Sequence, residues 1–274
     1  MADLTTATFS LQEILNRIEA NRGQAMQHRS NANLANAGSV LAYLLTSGSK
    51  NRTVRTVGGV AALGGVLYGS SQRNQAANFD AQNSLLFDSG LSRIELDGLL
   101  RLRTETNPDV KRKFLELVLR ISSLVNEELK RNGSKIKNKS LLWRKNQDLL
   151  MLAGSIDIIR NKLRLNRVFS QIDRTKVFPD YNGVFNRQVS AIDVKTLRKE
   201  GLYSKIFIGS CIVLGLILAN KNSSAVILLL LGIGFWAVNH FFPLFPETRK
   251  LKNALKNLVN GLQNQPPIQN LQIP

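Results

Sequence analysis

Two apolar segments joined by five polar residues, all within residues 203–245, constrain this chain more than any other feature. The first runs from Tyr203 to Ala219 and the second from Ala225 to Phe245, with Asn-Lys-Asn-Ser-Ser between them. At 1.5 Å per residue the second makes a helix of about 31 Å, close to the thickness of a hydrocarbon core, and the first makes about 25 Å. The second holds thirteen Leu, Ile, Val and Phe residues and the first holds nine. On an insertion scale these favour the bilayer by roughly 4–8 and 3–5 kcal/mol. A hairpin buried in a soluble core is the competing reading, but helices with one wet face carry charges there. These segments have none in their interiors. The expectation is an all-α integral membrane protein whose residues 203–245 form a transmembrane hairpin.

Basic residues flank that hairpin. Arg187, Lys195, Arg198, Lys199 and Lys205 precede it, Arg249, Lys250, Lys252 and Lys256 follow it, and the loop holds only Lys221. This asymmetry predicts both termini on the cytoplasmic side. The whole chain carries +18, with 24 Lys/Arg against 15 Asp/Glu between residues 80 and 200. Such an excess draws anionic partners, and beside a membrane anchor lipid headgroups come before nucleic acid. Cys211 is the one cysteine, so no intrachain disulfide forms, and no signal peptide is recognisable at the N-terminus.

A second hairpin is ambiguous. Residues 34–48 and 57–71 are uncharged and glycine-rich, and a linker with Lys50, Arg52 and Arg55 joins them. Ala61, Gly65 and Gly69 recur every four residues, as do Cys211, Gly215 and Ala219. Small residues at this spacing let helix backbones approach closely in lipid, so both sets are candidate packing faces and point to a homo-oligomer. Residues 34–72 are therefore a candidate membrane hairpin, with a water-exposed or interfacial glycine-rich hairpin as the alternative.

Elsewhere the periodicity is helical. Ser10 and Glu13 have capping-box spacing, which predicts an amphipathic helix within 1–33. Residues 80–200 read as a basic cytosolic bundle, with helices near 81–104, from Pro108 to a stop at Asn132-Gly133, over 140–165, and over 188–200. Residues 246–263 place Leu251, Leu255, Leu258, Val259 and Leu262 on one face, as an interfacial helix would, although docking onto the bundle fits the same pattern. Residues 264–274 read as a disordered tail.

The densest charge lies at 130–145. Lys130, Arg131, Lys135, Lys137, Lys139, Arg144 and Lys145 occur there without an acidic residue. With Arg249, Lys250 and Lys252 they are the candidate contacts for anionic lipid or phosphate; the plainer reading is a solvated connector. Material for catalysis is lacking. The two histidines, His28 and His240, stand at no metal-ligand spacing, and neither a phosphate loop nor a nucleophile elbow is present. No enzyme activity, cofactor or metal is expected. The function expected is a membrane-anchored helical scaffold that self-associates and engages anionic lipid. A pore or transport component and a membrane-tethered nucleic-acid binder are the alternatives.

Overall fold

The structure, a computed structural model, describes residues 3–138, 146–179, 181–218, 224–241, 244–265 and 268. The described residues are helical throughout, with no strand among them, and fall into two compact units. Unit 1 comprises Met1–Ile121 and Gln147–Gly154, and unit 2 comprises Ser122–Asn146 and Ser155–Pro274.

Unit 1 is dominated by two long antiparallel helices, α1 (Leu4–Ser47) and α2 (Arg52–Arg93). They have 44 and 42 residues, hence about 66 and 63 Å of length. The expected helix break near residue 33 does not occur, because neither proline nor a second glycine follows Gly38 closely enough to end the helix. Nor does α1 begin at the Ser10–Glu13 box: it begins at Leu4, where Leu4, Ala7 and Thr8 already bury their side chains. Leu4, Leu11, Ile18, Ala25, Ala32 and Ser39 stand seven residues apart, and every one is buried. This heptad is the seam against α2. Side chains along it shrink from Leu and Ile near the chain start to Ala and Ser near the turn.

Helix α2 continues past residue 80 without a break, through a π-helical turn (Ile94–Gly98) into α3 (Leu99–Thr104). Helix α4 (Pro108–Asn138) follows. Pro108 opens it, and the Asn107 side chain caps it by accepting the Asp109 N–H at 2.9 Å. Phe87 and Leu91 of α2 and Ile94 of the π-helical turn are fully buried, as are Val118 and Ile121 of α4. Each such side chain contributes about 1.5–3 kcal/mol. Gly90 makes room for this base: a Cβ there would lie 3.2 Å from Ile121 Cδ1 and 3.6 Å from Ile14 and Leu11.

Unit 2 takes the second part of α4, then α5 (Asn146–Ile172) from Ser155 onward, α6 (Tyr181–Ser190), α7 (Val194–Leu218), α8 (Ser224–Phe241) and α9 (Pro246–Gln263). Helix α4 does not stop at Asn132-Gly133. Gly133 is instead a point of close approach, where a Cβ would come within 2.6 Å of Val259 Cγ1 and 2.7 Å of Gln263 Nε2 on α9. The helices expected separately at 188–200 and from 203 are largely one, α7. The apolar face of α9, expected in the membrane interface, is instead buried: Leu251, Leu255, Leu258, Val259 and Leu262 all lie inside the unit. Docking wins because α6 and α7 pack against α9 and give that face an apolar surface to cover. Among the described residues, no helix is long and apolar enough to cross a membrane.

Candidate membrane-contact surface

Helices α7 and α8 pack against each other. Their seam is closed by small and aromatic groups. A Cβ on Gly232 would stand 3.0 Å from the Cys211 Cβ, so the missing side chain sets how near the helices come. Phe207 and Phe235 meet at 4.7 Å between ring centroids with planes tilted by 55°, a favourable aromatic geometry. Outside the seam, large apolar side chains face outward: Leu202, Tyr203 and Ile206 on α7, and Ile227, Leu230, Leu231, Ile233 and Val238 on α8.

The two outer ends of this pair are tied together. Helix α9 begins at Pro246, which has no N–H, after Phe245, whose side chain offers no acceptor. Its first free donors are satisfied by Glu200 of α7, only 5% exposed. The Glu247 N–H donates to Glu200 Oε1 at 3.2 Å, while Thr248 donates its N–H and its hydroxyl to Oε2 at 2.9 and 2.8 Å. A carboxylate at a helix N-terminus also meets the positive end of the helix dipole. Glu247 returns the contact by accepting the Asp193 N–H at 3.1 Å. Asp193 in turn accepts the Lys195 N–H at 2.9 Å and the Thr196 hydroxyl at 2.6 Å. Both of these carboxyls are held below their ordinary pKa: Asp193 chiefly by the Thr196 hydroxyl, Glu247 chiefly by Lys250 and then by the Asp193 N–H. The chain thus enters α7 and leaves α8 at one place.

The sequence-derived basic residues are dispersed. Lys130 is exposed on α4, whereas Arg131 is half-buried and paired with buried Glu128. Lys135 and Lys137 lie in the last turn of α4; Lys139, Arg144 and Lys145 fall outside the described residues. On α9, Arg249 and Lys250 are exposed, and Lys250 is bonded to Glu247 at 2.7 Å. Lys252 is half-buried, and burial followed by repulsion from Lys256 lowers its pKa. Of the small-residue sets, Cys211 sits at the α7–α8 seam, Gly215 lies in α7, and Ala219 falls outside the described residues.

Gly65 and Gly69 both face α1. A Cβ on Gly65 would meet Ser39 Oγ at 2.1 Å and the Ala35 carbonyl at 3.1 Å; on Gly69 it would meet Asn36 Oδ1 at 2.6 Å and the Ala32 carbonyl at 3.2 Å. Ala61 is exposed beside them. The glycine face is therefore occupied within the chain and does not offer itself to a second copy. The clasp residue Glu200 and Gly58, which packs against Thr46, escape sequence reasoning because their partners are set by folding and not by spacing.

Among the described residues no cluster of three or more His, Cys, Asp or Glu could hold a metal ion. No family model, curated protein or solved structure matches this chain.

Proposed function

We propose that this protein is a membrane-attached helical scaffold that acts by binding and not by catalysis. In this reading the α7–α8 hairpin is its anchor. The observation that carries it is the outward apolar surface of both helices, combined with the Glu200 clasp that holds their outer ends together. A hairpin tied at one end enters and leaves a bilayer on one face, and the exposed Arg249 and Lys250 beside the clasp suit anionic headgroups. The basic excess then places that face, and both termini, on the cytoplasmic side. Lys130, Lys135, Lys137 and the remaining basic residues of 130–145 add electrostatic attraction of about 1 kcal/mol for each one near the surface.

The test is extraction followed by labelling. Alkaline carbonate should leave the full chain in the membrane fraction, and release into the supernatant would refute attachment. In a Cys211→Ser background, an impermeant maleimide should reach Ser223→Cys and Gln263→Cys from opposite faces of reconstituted vesicles. Labelling of both from one face would replace a crossing hairpin by one dipping into a single leaflet.

A further inference from the structure

The α1–α2 hairpin reverses its pattern of packing along its length. Near the base, the seam is built from Leu11, Ile18, Phe87 and Leu91, and most outward positions, such as Glu13, Asn16, Arg17 and Glu19, are polar, with Phe9 and Leu85 as exposed exceptions. Toward the turn the arrangement is inverted. The seam there consists of Ala32, Ser39, Gly58, Gly65 and Gly69, while the bulky residues face outward, Leu45 being 80% and Leu67 70% exposed. In water burial of the larger apolar groups is favoured, so an inside-out segment is matched to an apolar surrounding.

The reversal occurs at a polar belt. His28 Nδ1 lies 2.6 Å from Gln72 Oε1, its ring stacks on Phe79 at 5.7 Å, and Arg29 pairs with buried Asp80. Beyond the belt no charged residue occurs in 30–49 or in 56–72. The helical parts of those stretches are about 27 and 25 Å long, near the thickness of a hydrocarbon core. Lys50, Arg52 and Arg55 stand at the turn. Two hydroxyls within the uncharged part bond to their own helix: Ser39 Oγ donates to the Ala35 carbonyl at 2.7 Å and Thr46 Oγ1 to the Ala42 carbonyl at 2.6 Å. Neither helix alone is apolar enough to cross, but the pair turns its small and several of its polar residues inward and presents mainly Leu, Val and Tyr outside, with Asn33 an exposed exception.

We infer that the distal part of this hairpin inserts into a lipid bilayer, with the His28–Gln72 and Arg29–Asp80 belt at the near headgroups and the basic turn at the far ones. The spread of the exposed residues selects lipid over a second copy of the chain. Val66, Leu67 and Tyr68 are consecutive and all exposed, so at 3.6 residues per turn they fan across about 200° of the helix circumference. A docking helix covers a narrow stripe, whereas lipid covers a whole outward half. The positive charge of Lys50, Arg52 and Arg55 at the turn complements anionic headgroups.

This insertion presupposes the membrane attachment proposed above, and one experiment separates the two. The full chain with Cys211→Ser receives one cysteine at a time: Leu44→Cys and Leu67→Cys outside the distal hairpin, Asn16→Cys and Ser89→Cys on the proximal side of the belt, and Leu231→Cys on α8. Each is labelled with an environment-sensitive fluorophore and reconstituted into phosphatidylcholine–phosphatidylglycerol vesicles containing acyl-chain spin-labelled lipid. Quenching at 44 and 67 should exceed that at 16 and 89 several-fold. Equal quenching at all four overturns the inference, as does a blue shift at 44 and 67 that needs only higher protein concentration and no lipid. Quenching at 231 without quenching at 44 and 67 overturns insertion of this hairpin and leaves the α7–α8 anchor standing. Quenching at none overturns both.

Discussion

Replacing Lys162 by methionine should stabilise the protein at neutral pH. Lys162 lies on α5, is 4% exposed, and burial lowers its ammonium pKa from 10.5 to about 8. Between those two values the unfolded chain holds a proton that the folded chain has released, so stability rises with pH across that window. Below about pH 8 the full penalty for burying the cation is present, and at 1.36 kcal/mol per unit it amounts to about 3 kcal/mol. Methionine keeps most of the apolar stem and removes the charge, so Lys162→Met should recover up to that amount at pH 7. Helical circular dichroism reports the unfolding of this all-helical chain. Urea titrations in detergent at pH 7, 8, 9 and 10.5 should give a gap between variant and wild type that narrows steadily and nearly closes at the highest pH. A variant no more stable than wild type at pH 7 would refute the reasoning, as would a gap independent of pH.

Glycines in α2 should respond with opposite signs. Gly59→Ala and Gly64→Ala meet nothing within 4 Å and should each stabilise the hairpin by up to about 1 kcal/mol, whereas Gly65→Leu with Gly69→Leu should destabilise it by about 1–3 kcal/mol per site, as read by thermal melting of helical circular dichroism. Removing the clasp with Glu200→Ala leaves the first donors of α9 unpaired and should cost about 2–3 kcal/mol, with faster hydrogen exchange at Glu247 and Thr248. Acid should loosen the same place: the depressed pKa values of Asp193 and Glu247 mean that their contribution is present above the ordinary carboxylate range and is lost as pH falls below about 4, so proteolysis near α9 should accelerate there and not between pH 5 and 7.

Helical periodicity makes the all-α architecture and the apolar stripes of α4 and α9 legible in the sequence. Boundaries are less so, because a residue type that ends one helix serves another purpose elsewhere. Gly133 looks like a stop but is the point where α4 and α9 come close, a purpose that depends on Val259, more than a hundred residues away. Ser10 and Glu13 have the spacing of a cap, yet the heptad beginning at Leu4 draws the helix start back, since burial of Leu4 outweighs one capping interaction. The small-residue spacing of Gly65 and Gly69 is visible in the sequence, but not that α1 is what fills it. Lys162 and Glu200 carry no local signal at all, because burial and capping from a distance exist only once the chain has folded.

The diminishing side chains along the α1 seam have a consequence for register. A uniform heptad repeats itself every seven residues, so two helices joined by a turn could pair equally well after sliding by one repeat. Here the layers step down from Leu or Ile at residues 4–18 to Ala or Ser at residues 25–39. Sliding by seven would press Ile18 into the layer shaped for Ala25, or leave Ala25 in the layer that Ile18 fills. The graded seam therefore works as a vernier: it admits one alignment of α1 on α2, and with it one fixed height for the His28–Gln72 layer above the turn.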